Sequence, residues 1–372
     1  MTALASVSAS GLHAGAVAMA ALPDSWVTAW TALTDDAAEP NAFAEPWFVA
    51  ASVKHLPVPA DARMLWVSHG EELIGLLPIC TASPYGRTPL RHATNWLHYH
   101  SFYGAPLIRR GHEWSFWRAA LDLLDRADWA PNFLHLNALD RDGTVLAGLE
   151  GVRRADIVHS SERAMLSSRL SSAEYLETHV RKKKRKEIGR LASRLGELGT
   201  IEYETLPADS DPAPWIESFL TLESSGWKGR EGSALGADPA TRGFFTAAVL
   251  GAQASGRLDM LRLTLDGRAI AMLVNFLTPP GSYSFKIAYD EDFARFSPGV
   301  LIQIENLKIL DRDDIAWMDS CAVEDHPMIN SLWAERRTIV RVTVPLEGKR
   351  RRIAFSVART LENASARARR WR

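Results

Sequence analysis

The sequence predicts an α/β fold built from two related halves. Strand-like and helix-like segments alternate along 372 residues, a length that suits two domains better than one core. Residues 64–78 and 261–274 share one layout, which is a strand, a tight turn containing acidic residues and Gly, and a second apolar strand. A hairpin that occurs twice in this way indicates a duplication, with the region Ser171–Leu198 joining the two halves.

Helices are predicted where apolar residues recur every three or four positions and a capping residue or glycine marks an end. They are expected at Trp26–Leu33, Glu45–Ser52, Trp114–Ala127, Ser171–Leu198, Trp215–Ser225 and Pro298–Leu310. Strands are predicted for short apolar runs between turn residues. They are expected at Arg63–Ser68, Leu73–Cys80, Phe133–Leu136, Ile201–Leu206, Leu258–Leu265, Ala269–Leu277, Tyr283–Tyr289, Ile315–Met318 and Thr338–Val344. Asp266-Gly267 between two of these runs is a strong hairpin signal.

These elements and the local composition set the expected domain boundaries. Residues 1–22 are rich in Ala and contain no Lys or Arg, which favours a disordered leader over a secretory signal. The expected order is a leader at 1–22, an N-terminal half at 23–168, a basic helical bridge at 169–198, a C-terminal half at 199–346 and a basic tail at 347–372.

Composition narrows the class of protein. The net charge of -1 gives no general indication of nucleic-acid binding. Cys80 and Cys321 are far apart and match no metal or redox motif, so we expect buried, reduced thiols, a reducing cytoplasmic location and no metal site. No run of about 18 apolar residues occurs, so no membrane-spanning helix is expected.

The segment from Tyr283 to Val300 is the strongest candidate for a binding site. A strand ends in a polar loop, and a helix then begins at Ser297-Pro298-Gly299. Ser is a favoured helix N-cap, Pro suits the first turn, and Gly permits close approach to the backbone. A helix start placed there can bind a phosphate-bearing ligand through its N–H groups, although a well-made helix start that binds nothing has the same sequence.

Two residues of the strand and loop carry charge. Lys286 lies within an apolar strand, so it is expected to face a cleft, a carboxylate or a ligand phosphate, or else to lie on an edge strand in water. Alternation places Ser284, Lys286 and Ala288 on one face of the strand and Phe285, Ile287 and Tyr289 on the other. Asp290 is either a turn former or a general base.

Three further groups are candidates. Glu223 precedes Gly226-Trp227-Lys228-Gly229, where Trp227 offers a flat surface and Lys228 a charge to a substrate. The six basic residues Arg181–Lys186 are a solvated helix face, a contact for anionic coenzyme or RNA, or a membrane contact. Arg336 and Arg337 either hold phosphate or carboxylate groups or solvate a helix end.

These residues resemble a known family. The chain resembles the GNAT-type acetyltransferase domain of CelD/BcsL-like cellulose-biosynthesis proteins. The resemblance is in Glu223 and Gly226-Trp-Lys-Gly229-Arg-Glu-Gly-Ser-Ala-Leu235, followed by Tyr289-Asp290 and Ser297-Pro-Gly-Val-Leu301. That family is related to FemAB-like transferases. The similarity is best from about Arg169 to Val344 and weaker through Leu73–Pro78 and Tyr103–Ile108.

The resemblance implies two GNAT-like halves, each a mixed, largely antiparallel sheet flanked by helices. It implies an acyl donor, usually acetyl-CoA or another acyl-CoA, and transfer to an amine or hydroxyl of a small-molecule or glycan acceptor, in exopolysaccharide or cell-envelope biosynthesis and in contact with a membrane-associated complex. Ser297, Pro298, Gly299 and Val300 would then lie at the donor pyrophosphate, and Lys286 and Tyr289 beside its pantetheine arm. Trp227 and Lys228 would border the acceptor, with Asp290 or Glu223 as general base.

One departure from the pattern leaves the donor open. The usual GNAT coenzyme signature, Q/R-x-x-G-x-G/A, is replaced by Arg295-Phe-Ser-Pro-Gly299, which keeps one of its glycines. An aminoacyl-tRNA donor, as in FemAB-like transferases, is therefore an alternative, with Arg181–Lys186 on the RNA. A second alternative is a non-catalytic accessory protein of a polysaccharide synthase.

Overall fold

The computed structural model describes residues 6–7, 11–86 and 88–370 of the chain. Its contacts divide the chain into two compact units. Unit 1 takes Met1–Pro46, Pro57–Ser161 and Thr338–Arg372, and unit 2 takes Trp47–Leu56 and Glu162–Arg337. Each unit therefore contains a segment that is distant in sequence from its main part.

The strands, in chain order, are β1 (Ser6–Val7), β2 (Leu12–Ala18), β3 (Arg63–His69), β4 (Glu72–Ala82), β5 (His92–Asn95), β6 (Leu107–Ile108), β7 (Phe133–Asp140), β8 (Asp156–Leu166), β9 (Ile201–Thr205), β10 (Leu258–Leu265), β11 (Arg268–Thr278), β12 (Gly281–Tyr289), β13 (Trp317–Asp319) and β14 (Glu335–Pro345). The helices are α1 (Trp26–Asp35), α2 (Pro46–His55), α3 (Glu113–Arg126), α4 (Thr144–Val152), α5 (Ser172–His179), α6 (Lys182–Gly196), α7 (Ala213–Ser225), α8 (Trp227–Arg230), α9 (Pro239–Ala254), α10 (Pro298–Glu305), α11 (Pro327–Asn330) and α12 (Lys349–Arg370). Short 3₁₀ helices lie at Met19–Ala21, Ala42–Ala44, Leu235–Ala237, Glu291–Phe296 and Asn306–Asp311.

The strands of the two units follow the same order. In unit 1 the neighbours run β2-β3-β4-β5-β7-β14, with β1 beside β2 and β6 beside β4. In unit 2 they run β9-β10-β11-β12-β13-β8. The fourth and fifth strands are parallel in each unit, β5 with β7 and β12 with β13, and the remaining neighbours within each unit are antiparallel. The predicted fold class, two halves with mixed and largely antiparallel sheets flanked by helices, is confirmed.

Local irregularities repeat as well. The pairing of β3 with β4 is bulged between Val67 and Ser68, and that of β10 with β11 between Leu263 and Thr264. In the parallel pairs, Ala93 lies opposite Leu134 and Gly281 opposite Trp317, and four residues beyond these partners Ala138 and Cys321 both have a positive φ, 57° and 54°. Non-glycine residues rarely adopt this conformation, so its presence at matching positions supports the duplication that the two hairpins indicated.

The turn predicted from Asp266-Gly267 forms as expected. Both residues have positive φ, 48° and 79°, as a two-residue turn needs to match the twist of its strands. An apolar cluster packs against the sheet of unit 2. It joins Leu195, Leu263, Leu273 and Ile302 with their neighbours, so that α6 and α10 contact β10 and β11.

A further apolar contact in unit 2 comes from its distant segment, Trp47–Leu56. Phe48 of α2 is 1% exposed and lies edge-on to Phe244, Phe276 and Phe285, with ring centroids 5.4, 6.2 and 6.3 Å away. Trp47 lies 4.8 Å from Phe276 in the same way. This short helix therefore contributes core to the unit that holds the candidate site.

Several sequence predictions need correction. The leader predicted as disordered at 1–22 contains strand β2, which pairs with β3, and only 1–5 and 8–10 lie outside the described residues. The helix predicted across Ser171–Leu198 is two helices, because the chain is extended at Val180 and Arg181. This basic region belongs to unit 2 rather than forming a separate bridge. The capping box at Ser171 and Glu174 is present.

Helices α4 and α9 and strand β8 were missed by the sequence prediction. α4 and α9 each contain two glycines, Gly148 and Gly151 in α4 and Gly243 and Gly251 in α9, which lower helix propensity. β8 is polar on its exposed face. Among the described residues, no helix combines the length and apolar character needed to cross a bilayer.

Candidate functional site

A gap beside β12 is the central feature of unit 2. β12 pairs with β13 through Gly281, Ser282 and Tyr283, and it then continues to Tyr289 while β13 ends at Asp319. In the described part of the chain, no strand pairs along this edge beyond Tyr283. Two parallel strands that separate in this way leave backbone N–H and C=O groups of β12 facing the space between them.

A bulge in β12 places Lys286 and changes the predicted alternation. Val274 of β11 pairs with Lys286 and the next residue, Asn275, pairs with Ser284, so Phe285 is an extra residue. Phe285 packs against Phe276, with ring centroids 4.5 Å apart, whereas Ile287 and Tyr289 pack with the α6 and α10 cluster. The prediction that Phe285 shares a face with Ile287 and Tyr289 is therefore wrong, because the bulge interrupts the two-residue period.

The amine of Lys286 lies 5.2 Å from the centroid of the Phe285 ring. Burial, together with the nearby positive charge of Lys228, lowers the pKa of Lys286 to about 8, while Glu223 acts in the opposite direction. A lysine with this pKa is partly neutral near physiological pH. Its nitrogen can then accept a proton, and in its charged form it can stabilise a developing oxyanion.

Glu223, near the end of α7, holds the following loop. Its side chain is buried, with one carboxylate oxygen 2.7 Å from the Lys228 amine and the other 2.7 Å from the Leu235 backbone nitrogen. Both oxygens are thus engaged with the segment 228–235. The sequence prediction of Glu223 as a general base stays a prediction, and this geometry gives it a loop-anchoring role.

A small pocket lies between α7, α8 and the end of β12. Its volume is about 30 Å³, room for a water or a small group, and its lining includes Glu223, Trp227, Lys228 and Tyr289. Trp227 is 46% exposed. The structure therefore brings together the predicted acceptor residues, one predicted base and Tyr289.

Glu291 fixes the position of Trp227 and was not singled out from the sequence. One carboxylate oxygen accepts the Trp227 backbone N–H at 2.7 Å, and the other lies 2.6 Å from the Arg230 guanidinium. These hydrogen bonds lower the pKa of Glu291. A lone Glu in a polar loop gives no sequence signal for such a contact.

Asp290 begins the 3₁₀ helix that follows β12. Its side chain accepts the Asp292 backbone N–H at 3.0 Å and pairs with the guanidinium of Arg268. The residue is 6% exposed. The turn-forming interpretation of Asp290 matches this geometry, and its role as a general base stays a prediction.

The start of α10 differs in detail from the predicted cap. Ser297 has φ 54° and its side chain makes no capping hydrogen bond, so the prediction of a side-chain N-cap is wrong. Instead, its carbonyl accepts the N–H groups of Val300 and Leu301 at 2.9 and 3.1 Å. The left-handed conformation turns the chain sharply into the helix, at a cost in backbone strain.

Gly299 and Pro298 are buried where α10 meets β12. A Cβ atom built on Gly299 would lie 3.4 Å from the Tyr289 ring and 3.8 Å from Ile287. The predicted pyrophosphate residues therefore lie next to Tyr289, on the face of β12 opposite Lys286. Their role in donor binding stays a prediction.

A buried ion cluster lies at the base of the gap. Asp319 is fully buried, and it accepts hydrogen bonds from Arg163 and Arg337, each at 3.3 Å, and from the Cys321 backbone N–H at 2.8 Å. Arg337 also lies over the Trp317 ring. The carboxylate proposed from sequence as a possible target of Arg337 is thus Asp319 of the chain itself.

Burial raises the pKa of the Cys321 thiol well above its usual range, and the neighbouring Asp319 raises it further. Cys80 is also a free thiol with a pKa raised by burial to about 11. Within the described residues, no group of three or more His, Cys, Asp or Glu side chains is arranged to hold a metal ion.

Part of the chain matches a known family model. Residues 182–326 match a family model described as an acetyltransferase (GNAT) domain. The match extends from α6 past β13, so it includes Glu223, Trp227, Lys286 and Gly299.

Solved structures share the fold over nearly the whole chain. The structure of FemX has a TM-score of 0.58 at 10% identity, covering 90% of this chain and 98% of that one. The C-terminal DUF2156 domain of a putative lysylphosphatidylglycerol synthetase from Agrobacterium fabrum has a TM-score of 0.53 at 13% identity, covering 91% and 95%. A conserved protein of unknown function from Bacteroides thetaiotaomicron has a TM-score of 0.53 at 11% identity, covering 86% and 97%. No curated protein sequence matches the chain.

At these identities the structural likeness concerns the fold alone. The GNAT part of the resemblance is therefore supported by the family model, and the fold by FemX. Membership of the CelD/BcsL-like group stays a prediction.

Proposed function

We propose that this protein is an acyltransferase that binds an acyl-CoA along β12 and transfers the acyl group to an amine or hydroxyl acceptor. The observation that carries the proposal is the gap beside β12, with Lys286 on the part of β12 that has no partner strand on this edge, inside the region that matches a GNAT acetyltransferase domain. The two amide groups of a pantetheine arm can pair with an unpaired strand edge as an added strand does.

In the proposed mechanism the acceptor nitrogen or oxygen attacks the thioester carbonyl directly, the carbon–sulfur bond then breaks, and CoA leaves as a thiolate that takes up the proton from Lys286. Lys286 in its neutral form takes the proton from the acceptor, since its pKa of about 8 is matched to that task. Asp290 and Glu223, the bases proposed from the sequence, each have a carboxylate paired with a cation and a backbone N–H. Trp227 and Lys228 line the entrance for the acceptor.

The corresponding place in unit 1 supports donor binding in unit 2. There the fourth strand, β5, ends at Asn95, whose side chain donates to the carbonyls of Gly104 and Asn137 and accepts the Asn137 N–H, each at 2.9 Å. In unit 2, β12 continues beyond the equivalent point. In unit 1, these hydrogen bonds occupy that position instead. We therefore assign the acyl donor to unit 2 and a supporting role to unit 1.

The acceptor class and the location are proposed from the resemblance. The resemblance suggests a glycan or small-molecule acceptor in exopolysaccharide or envelope biosynthesis. A cytoplasmic location agrees with the two free thiols. A membrane-associated biosynthetic complex is the proposed partner.

A second candidate is aminoacyl transfer from tRNA. It is favoured by the basic face of α6, on which Lys182, Lys183 and Lys186 are exposed. Changing these three lysines to Gln should leave acyl-CoA binding intact if the first proposal holds. Steeply salt-dependent tRNA binding that the triple variant loses would favour the second. A non-catalytic accessory role is favoured if the purified protein binds neither donor.

Donor binding can be tested at Gly299. We expect acetyl-CoA to raise the Tm of the wild type, and Gly299→Glu to abolish that rise, because a carboxylate at this site would repel the pyrophosphate. Gly299→Ala is the matched control, since its Cβ lies at ordinary contact distance from Tyr289 and should keep the rise. An unchanged rise in the Glu variant would remove Ser297–Val300 from the donor site.

A further inference from the structure

Helix α12 has two distinct faces, and its inner face is fixed to unit 1. Phe355 and Ala358 are buried in a cluster with Tyr85 and Phe133. Arg351 donates to four carbonyl groups in the last turn of α3 and just after it, at 2.8 to 3.2 Å, where a helix C-terminus favours a cation. The helix is therefore held in a defined orientation.

The outer face is apolar and exposed. Ile353, Val357 and Leu361 follow one another at intervals of four residues, and they are 66%, 45% and 48% exposed. Side chains at this spacing form one stripe along a helix. The stripe belongs to a shallow groove lined by Arg352, Ile353, Ser356, Val357, Thr360 and Leu361.

The stripe is surrounded by positive charge. Residues 347–372 contain nine Lys and Arg and two Asp and Glu, so this segment carries +7 in a chain whose total charge is -1. Lys349, Arg350 and Arg352 are exposed beside the stripe. The two acidic residues, Glu347 and Glu362, are paired with Arg352 and Arg359.

We propose that α12 docks on an anionic phospholipid surface, with Ile353, Val357 and Leu361 inserted at the headgroup boundary and the flanking basic residues on the lipid phosphates. An anionic bilayer satisfies both properties of this face, because it accepts aliphatic side chains and neutralises cations. A nucleic acid would leave the aliphatic stripe in water. A second copy of the chain would place two +7 segments against each other.

Flotation with lipid vesicles tests the proposal. At 50 mM NaCl we expect the full chain to float with vesicles of phosphatidylcholine and phosphatidylglycerol in a 7:3 ratio, and not with phosphatidylcholine alone. Binding should fall at least tenfold at 500 mM NaCl. We expect Ile353→Asp and Val357→Asp each to lower binding at least tenfold without changing the Tm, since both side chains are exposed.

Two controls separate the stripe from general effects. Val27→Asp replaces a side chain that is 51% exposed on α1 and should bind vesicles as the wild type does. The α6 variant with Lys182, Lys183 and Lys186 changed to Gln should also keep binding. Failure of the wild type to float with anionic vesicles, or equal flotation of Ile353→Asp, would overturn the proposal.

Other occupants give other outcomes that would also overturn it. A dimer in light scattering that Ile353→Asp dissociates, without vesicle binding, would assign the stripe to self-association. Salt-dependent binding of an RNA duplex by α12, lost on changing Lys349 and Arg350 to Glu and unaffected by Ile353→Asp, would assign the charge to nucleic acid.

Discussion

Burial of Lys286 destabilises its charged form, and the lowered pKa suits this lysine to accept a proton. The sequence identified it because a lysine within an apolar strand needs an explanation, and the structure places it on the part of β12 beyond the pairing with β13. The sequence did not predict the bulge at Phe285, because a bulge depends on the register between two strands and not on either strand alone. Glu291 and Asp319 were missed for a similar reason, since their partners are distant in sequence.

The first prediction at this scale concerns activity. Lys286→Met should lower kcat by about 10²- to 10⁴-fold, the usual contribution of a proton-transfer group. In the wild type, kcat should rise with pH through about 8 as the amine loses its proton. Initial rates with acetyl-CoA between pH 6 and 10 check both. A rate that falls over this range would contradict the proton-acceptor role and favour a charged Lys286.

The second prediction concerns stability. Whereas Lys286→Met should lower activity, it should raise the free energy of unfolding. Burial holds the pKa of Lys286 below the ordinary value of 10.5, so between pH 8 and 10.5 the unfolded chain binds more protons and stability should rise with pH. At neutral pH the charged lysine is a cost, and Lys286→Met should stabilise the protein by about 1–3 kcal/mol. Thermal unfolding at pH 7 measures this change. A lower Tm for the variant would show that Lys286 contributes to the fold.

At the scale of elements, the site depends on how α7, α8 and β12 are held together. The sequence predicted the end of α7, the strand β12 and the helix start at Pro298, because each has a local signal such as Gly226 or Ser-Pro-Gly. It did not predict that Ser297 enters α10 with a positive φ, since Ser rarely adopts that conformation. The anchoring of the loop by Glu223 and Glu291 also needed the structure.

Glu223→Gln separates loop anchoring from catalysis. We expect a loss of about 1–2 kcal/mol, because the amide oxygen still accepts the Leu235 N–H while the ion pair with Lys228 is lost. Faster proteolysis within 227–235 and a lower Tm should accompany a modest loss of activity. An activity loss above 100-fold at an unchanged Tm would instead support Glu223 as the base.

At the scale of the whole molecule, the repeated hairpin predicted the duplication correctly. The predicted domains are continuous stretches of sequence, whereas each observed unit combines segments that are distant in sequence. Residues 47–56 belong to unit 2, although more than 100 residues separate them from Glu162. Contacts such as those of Phe48 with Phe276 depend on tertiary packing and leave no mark in local sequence.

A fragment experiment tests this division. We expect Glu162–Arg337 produced alone to be unstable, because it lacks the buried Phe48 and Trp47, and loss of one such aromatic side chain costs about 3–5 kcal/mol. Adding residues 45–57 through a flexible linker should restore a cooperative thermal transition. The matched control carries Phe48→Ala in the added segment and should not restore it. A cooperative transition of the bare fragment would contradict the assignment of α2 to unit 2.

The sixth strand of each sheet, β14 in unit 1 and β8 in unit 2, is separated in sequence from the other strands of that sheet by a segment that contains helices. β8 follows the helices of the first half in sequence and completes the sheet beside β13, while β14 follows those of the second half and pairs with β7. During synthesis, β8 emerges before the other strands of unit 2, whereas the sheet of unit 1 waits for β14, which follows every strand of unit 2. The sheet of unit 1, most of whose strands leave the ribosome first, is thus completed after that of unit 2, and the edge of β7 must avoid pairing with other chains until β14 is made.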